Sequence, residues 1–246
     1  GAGTSGEVVF DRPWLVDVAG ASGLDFRHHN GMTGDQYFVE MMGAGAALAD
    51  LDADGDLDAF LVQGAPLKPG PAARPTALDP DLDRPLAWRD RLYLNQLRPG
   101  EPGSLRFGDA TQDSGIEEDG YGMGVAAGDA DADGNVDLYV ANWGANRFWR
   151  GLGGGRFEDA TAATGTGAGA WSVSAGFADL DRDGRLDLYV TDYVDYRYDL
   201  HRPCYAASGR VDYCSPKAYR PQPARLYLNR AGGPWEEAAA RLGLAL

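Results

Sequence analysis

Three stretches of the chain place acids at alternate positions around a glycine. They are Asp50-Leu-Asp52-Ala-Asp54-Gly55-Asp56-Leu-Asp58, Asp129-Ala-Asp131-Ala-Asp133-Gly134-Asn135-Val-Asp137 and Asp179-Leu-Asp181-Arg-Asp183-Gly184-Arg185-Leu-Asp187. Ca²⁺ takes about six to eight hard oxygen ligands around a compact ion. Acids at loop positions 1, 3 and 5 converge on one point if the backbone curls, and glycine at position 6 permits that curl. The position-7 carbonyl, from Asp56, Asn135 or Arg185, can add a ligand, which leaves that side chain free to vary. The position-9 Asp supplies one or two more oxygens. A single Asp-rich turn is often only a solvated loop. Three copies in register predict about three bound Ca²⁺. An EF-hand would need Glu at position 12 between helices, whereas position 12 here is Leu61, Val140 or Val190 in an apolar run. Mg²⁺ prefers fewer protein ligands and retained water.

Other groups carry weaker signals. His28, His29 and His201 are the three histidines, and with Glu40 they could form a second, transition-metal site. Adjacent residues of an extended chain point to opposite sides, so at most one of His28 and His29 joins a given site. No ligand spacing supports such a site, and histidines bonded at the surface are the plainer reading. Neither a Gly-x-Ser-x-Gly elbow nor a phosphate loop is present. Cys204 and Cys214 share one irregular segment and are not Cys-x-x-Cys. A disulfide in an exported protein is worth about 2–3 kcal/mol by loop entropy; the alternative is two free cytosolic thiols.

The Asp loops sit inside a larger repeat. Leu15–Gly23, Phe107–Gly115, Phe157–Gly165 and Trp235–Gly243 align without gaps. Each begins with a large apolar residue, has an acid two positions on and Gly eight positions on. After the first three come a run of small residues, an Asp loop, an apolar strand such as Leu138-Tyr-Val140, and then Arg91-Leu-Tyr-Leu-Asn95 or its counterparts at Arg147 and Arg225. Such runs, bounded by Gly, Asp and Asn, read as strands. Four strands in about fifty residues, repeated, make a propeller blade. The expected fold is therefore all-β: a partial β-propeller with blade-like units at about 15–106, 107–156 and 157–234 and an incomplete unit at 235–246. The Gly/Ala-rich strand suits the innermost position, where blades converge.

The first and third units exceed the second by whole insertions. These fall around His28-His29-Asn30, after Val62 in a Pro-rich stretch (Pro66, Pro69, Pro71, Pro75, Pro80, Pro85), and after Val190 around both cysteines. Loops of an up-and-down blade alternate between two faces. All three insertions are thus expected opposite the Asp loops, where long loops on a rigid scaffold often bind partners. The third is rich in tyrosine: Tyr193, Tyr196, Tyr198, Tyr205, Tyr213 and Tyr219. They could form a ligand face or pack the insertion onto its own blade.

Composition sets the outer limits. The chain has 246 residues and a formal charge of −15. That balance disfavours nucleic acid and anionic membrane surfaces. Clustered like charges repel unless a cation sits among them. No stretch reaches the roughly eighteen apolar residues of a membrane-spanning helix, so no membrane insertion is expected. The start, Gly1-Ala2-Gly3-Thr4-Ser5-Gly6, carries no leader, which an exported protein would have lost.

The Asp loops between small-residue and Leu-Tyr-Val strands resemble the FG-GAP or VCBS repeat, the blade of integrin α-subunit propellers. The opening Val16-Asp-Val-Ala…Ser22-Gly-Leu-Asp-Phe26-Arg-His-His-Asn-Gly31, then Glu40-Met-Met-Gly-Ala-Gly45, and Cys204…Tyr213-Cys214-Ser-Pro, are similar to the N-terminal half of the cartilage acidic protein/ASPIC-UnbV family. That resemblance implies a propeller of about seven blades, calcium loops on one face, and an extracellular or periplasmic protein. The last unit stops at Leu246 before a fourth Asp loop, so a missing segment or second chain is expected to complete the ring.

Two functional expectations follow, from different classes. One is a calcium-stabilised, non-catalytic interaction or adhesion module whose partner is a protein or glycan. The other is a metal-dependent enzyme or accessory protein of a bacterial biosynthetic pathway, using the histidine site. A purely structural segment is the third reading.

Overall fold

Short apolar runs between Gly- and Asp-rich turns become strands wherever they recur. The first sheet is formed in chain order by β1 (Ala46–Ala49), β2 (Asp58–Leu61), β3 (Arg91–Asn95) and β4 (Phe107–Asp109). The second repeats it with β5 (Tyr121–Gly128), β6 (Asp137–Trp143), β7 (Arg147–Gly151) and β8 (Phe157–Asp159). In the third, β9 (Ser172–Ala178) and β10 (Asp187–Asp192) are separated by a small hairpin, β11 (Cys204–Tyr205) and β12 (Val211–Asp212), before β13 (Arg225–Leu228) and β14 (Glu236–Glu237) complete the order. All four sheets are antiparallel, and helices are few and short: α1 (Ala19–Ser22), α2 (Thr161–Thr164) and 3₁₀ turns. This computed structural model describes residues 15–67, 88–98, 100–101, 103–230 and 232–244. Pro69, Pro71, Pro75, Pro80 and Pro85, and Gly1 through Gly6, lie outside these residues.

The aligned nonapeptides have a common physical cause. The last three open on an outer strand, and all four run into one helical or turn segment. The acid at the third position accepts the N–H two residues on: Asp17 from Ala19 (2.9 Å), Asp109 from Thr111 (2.9 Å), Asp159 from Thr161 (2.8 Å) and Glu237 from Ala239 (3.0 Å). The closing glycines, Gly23, Gly115, Gly165 and Gly243, all have positive φ (93°, 81°, 70° and 75°), which a side chain disfavours. Because the strand opening each of the last three nonapeptides pairs with the strand before it, each four-stranded sheet runs one strand past the sequence unit: Phe107–Asp109 closes the first sheet, Phe157–Asp159 the second and Glu236–Glu237 the third.

The small-residue strands stand side by side, β5 between β1 and β9. There is little room between them. A Cβ on Gly45 would lie 2.9 Å from the Gly124 Cα, and one on Gly124 would lie 2.7 Å from the Val173 carbonyl oxygen. Both obstacles are backbone. Gly124→Ala is therefore expected to cost about 2–3 kcal/mol by forcing β5 and β9 apart, seen as a lower denaturant midpoint; an unchanged midpoint would show that the inner strands can separate freely.

Side chains alternate between sheet gaps as the pleat requires. Leu138 and Val140 of β6 meet Phe60, Val62 and Leu92 of the first sheet. Tyr139 of the same strand turns the other way, towards Leu188, Val190 and Tyr227 of the third. β6 is thus buried on both faces, which explains its unbroken apolar run.

The described parts of the insertions gather at the end opposite the Asp loops and pack into a core with residues of the sheets. Tyr37, Phe38, Trp171, Val194 and Tyr196 are its buried centre. Hydrogen bonds join the first and third insertions, Gln36 Nε2 to the Val211 carbonyl (3.2 Å) and Tyr213 Oη to Glu40 Oε2 (2.9 Å), and Trp143 Nε1 at the end of β6 donates to the Tyr196 carbonyl (3.0 Å). Cys204 and Cys214 form a disulfide, Cα–Cα 5.1 Å, that clips the β11–β12 hairpin. Among the described residues no helix is long and apolar enough to cross a membrane.

Candidate metal centres

Each Asp loop connects the two innermost strands of its sheet. The position-9 Asp is the first residue of the second strand, opposite the residue before position 1: Ala49↔Asp58, Gly128↔Asp137, Ala178↔Asp187. This Asp is fully buried in all three copies. Its two oxygens accept different backbone N–H groups. In the second loop Asp137 Oδ2 accepts from Ala130 (2.9 Å) and Oδ1 from Gly151 at the end of β7 (2.8 Å). Asp58 does the same for Leu51 and Asn95 (2.7 and 2.8 Å), and Asp187 for Leu180 and Asn229 (both 2.9 Å). The residue ties its loop to the third strand of the sheet before any ion is considered.

The curl has two supports. Gly55, Gly134 and Gly184 at position 6 have φ of 96°, 92° and 88°. Their N–H groups donate to the position-1 carboxylates Asp50, Asp129 and Asp179 at 3.1, 3.0 and 3.1 Å. The position-4 residues Ala53, Ala132 and Arg182 are also left-handed, at 66°, 59° and 63°, although none is glycine. A left-handed non-glycine residue costs roughly 1–2 kcal/mol, so the loops hold strain at the same place in every copy.

The curl brings acids together at positions 1, 3 and 9. Asp50, Asp52 and Asp58 each place an oxygen within 4.8 Å of the others, as do Asp129, Asp131 and Asp137, and Asp179, Asp181 and Asp187. The position-5 acids Asp54, Asp133 and Asp183 stand outside these groups. Each instead accepts the N–H of position 7: Asp56 (3.1 Å), Asn135 (2.8 Å) and Arg185 (3.0 Å). A short acidic side chain bonds its own backbone two residues on more readily than it reaches across the loop. Asp56, the acid at position 7 of the first loop, likewise lies outside the converging group.

The electrostatics of these groups favour a cation. Burial, then Asp58 and Asp54, push Asp52 up to about 6. Burial pushes Asp137 up to about 6 against its two backbone hydrogen bonds, with Asp131 and Asp133 adding to the rise. These carboxylates hold their charge at a cost that a cation would relieve. The donor set, all hard oxygen from convergent carboxylates, suits Ca²⁺. If an ion is held, Asp50, Asp52 and Asp58 and their counterparts would hold it. Asp181 differs: its hydrogen bond from Arg230 lowers its pKa.

The loops also touch the next sheet. In the first loop, the Leu51 and Asp52 carbonyls accept from Gly155 and Gly154 (both 3.3 Å), in the β7–β8 turn of the second sheet. In the second, the Ala130 carbonyl accepts from Asn229 Nδ2 of the third sheet (2.7 Å). The corresponding Leu180 of the third loop is 51% exposed.

The remaining candidate residues are dispersed among local partners. Glu40 Oε1 accepts from the Thr33 N–H and hydroxyl (both 3.2 Å), and Oε2 accepts from Tyr213. His201 packs on Tyr37 at 4.6 Å and shares a hydrogen bond with Tyr196 Oη at 3.3 Å. His29 lies 5.6 Å from Trp88, and its N–H donates to Gln63 Oε1. Among the described residues, no group of three potential metal ligands includes His28, His29, Glu40 or His201. Tyr193, Tyr196 and Tyr219 belong to the insertion core, while Tyr198 and Tyr205 are 42% and 65% exposed. The position-9 double hydrogen bond and Arg230 were not foreseen from the sequence. The first had a signal, since position 9 is never Asn or Glu in the three loops.

No curated protein matches the chain. Residues 129–190 match the FG-GAP-like repeat, a span that begins on the first Asp of the second loop, passes through β6 to β9, and includes the whole third loop.

Proposed function

We propose that this chain is a calcium-stabilised segment of a β-propeller and works, outside the cytoplasm, as a non-catalytic interaction module. One observation carries the reading. Three groups of convergent Asp oxygens recur at the same place in three successive sheets, and two of the loops hydrogen-bond the following sheet. Calcium there would hold both the hairpin turn and the junction between sheets. FG-GAP repeats are consistent with a β-propeller, and the sheets follow one another as blades do. The exposed Leu180, whose counterparts Leu51 and Ala130 are buried, favours a further sheet beside the third, from another segment or a second chain. The disulfide is compatible with an extracellular or periplasmic location. The partner, protein or glycan, would meet the insertion end, where Tyr198 and Tyr205 project from a packed base.

Calcium binding to the metal-stripped chain tests the reading. Calorimetry at roughly millimolar calcium should count three ions per chain, one per Asp group, and Asp52→Asn or Asp131→Asn should each remove one. No heat of binding, or a stoichiometry unchanged in the variants, would sink the proposal.

A further inference from the structure

Asn95, Gly151 and Asn229, whose N–H groups bond the position-9 acids, are each followed by a different residue: Gln96, Leu152 and Arg230. Arg230 extends over the third Asp loop. Its Nη1 is 2.8 Å from Asp181 Oδ2 and 3.6 Å from Asp183 Oδ2. It is held from behind as well. Nε and Nη2 donate to Glu236 Oε2 at 3.2 and 3.1 Å, and Arg241 donates two hydrogen bonds to the other oxygen of Glu236. Arg185, at position 7, pairs with Asp183. No basic residue lies within the first or second loop sequence. Arg150, beside the second loop, is paired with Glu158.

We propose that Arg230 is a built-in counter-cation of the third loop, so that the chain has two strong calcium sites and one weak one. The inference rests on the calcium reading of the Asp loops and concerns how they differ. Asp181 is one of the three acids that converge there, so an ion must share it with a guanidinium or displace that group. Displacement breaks a planar, multiply bonded arrangement, and sharing places two cations a few ångströms apart. In the first loop, among the described residues, the same acids are bonded by backbone N–H groups and by no paired cation. The third loop is thus closed by an ion pair between the Asp loop and the end of β13, where the other two rely on metal.

The test is a calcium titration of the full chain by NMR, following the amides of Gly55, Gly134 and Gly184. Each donates to its own position-1 carboxylate and so reports its own loop. Gly184 is expected to respond at a calcium concentration at least about tenfold higher than Gly55. Arg230→Gln should bring its midpoint to within about threefold of that of Gly55, whereas Arg230→Lys should leave it weak. Equal midpoints in the unaltered chain overturn the proposal and leave the calcium reading standing. A weak third site unmoved by Arg230→Gln also overturns it. No response from any glycine overturns both.

Discussion

Adding calcium to the metal-free chain is expected to raise its melting temperature by about 10 °C or more, and chelation should reverse the change. Each site saturated about a hundredfold above its dissociation constant stabilises the folded state by about 2.7 kcal/mol. For a chain of this length, 1 kcal/mol moves the melting point by about 2–4 °C. The two sites without a paired arginine suffice for the shift. The structural reason is local. In the metal-free loops like-charged carboxylates converge within 4.8 Å around a strained turn, and the same loops join successive sheets. A cation removes that repulsion at the turns themselves. Mg²⁺ at the same concentration should give a much smaller shift, because it gives up its water reluctantly. An unchanged melting temperature at roughly millimolar calcium would reduce the Asp loops to solvated turns.

Much of the architecture could be read in the sequence because it follows from local rules repeated three times. Gly55, Gly134 and Gly184 mark a backbone turn that side chains resist, and the Ala- and Gly-rich strands mark places where backbone meets backbone. These signals are carried by single residues or by neighbours. The distribution of roles inside the loop was not legible. An Asp at position 5 and one at position 9 look alike in sequence. The first bonds its own turn, and the second reaches the strand across the sheet because it alone enters the ladder. Arg230 could not be assigned to Asp181 either, since 49 positions separate them and only the order of strands in the third sheet brings them together. The tyrosines of the third insertion divide between packed and exposed positions. A segment this long needs buried area to hold its shape, and Tyr193 and Tyr196 supply it, leaving Tyr198 and Tyr205 to face outward.

Asp137→Ala is expected to destabilise the chain by about 2–5 kcal/mol even with calcium chelated. The Asp137 carboxylate accepts the N–H groups of Ala130 and Gly151, and the residue is buried. Alanine would leave two backbone donors without partners, each costing about 1–3 kcal/mol. Asp131→Asn makes the contrast. Asp131 is exposed, and burial together with the repulsion of Asp133 raises its pKa, so losing its charge relieves the metal-free loop. In chelator its cost should stay within about 0.5 kcal/mol, and its penalty should emerge only when calcium is present. The two variants therefore separate ligand from staple by chemical denaturation in chelator and in calcium. If Asp137→Ala loses stability only in calcium, position 9 is a ligand and its hydrogen bonds are incidental. If the loss is present in chelator and larger in calcium, the same residue builds the sheet and completes the metal site. A position with both duties admits no other residue type: Asn would turn an N–H towards an N–H, and Glu would overreach the strand it must cap.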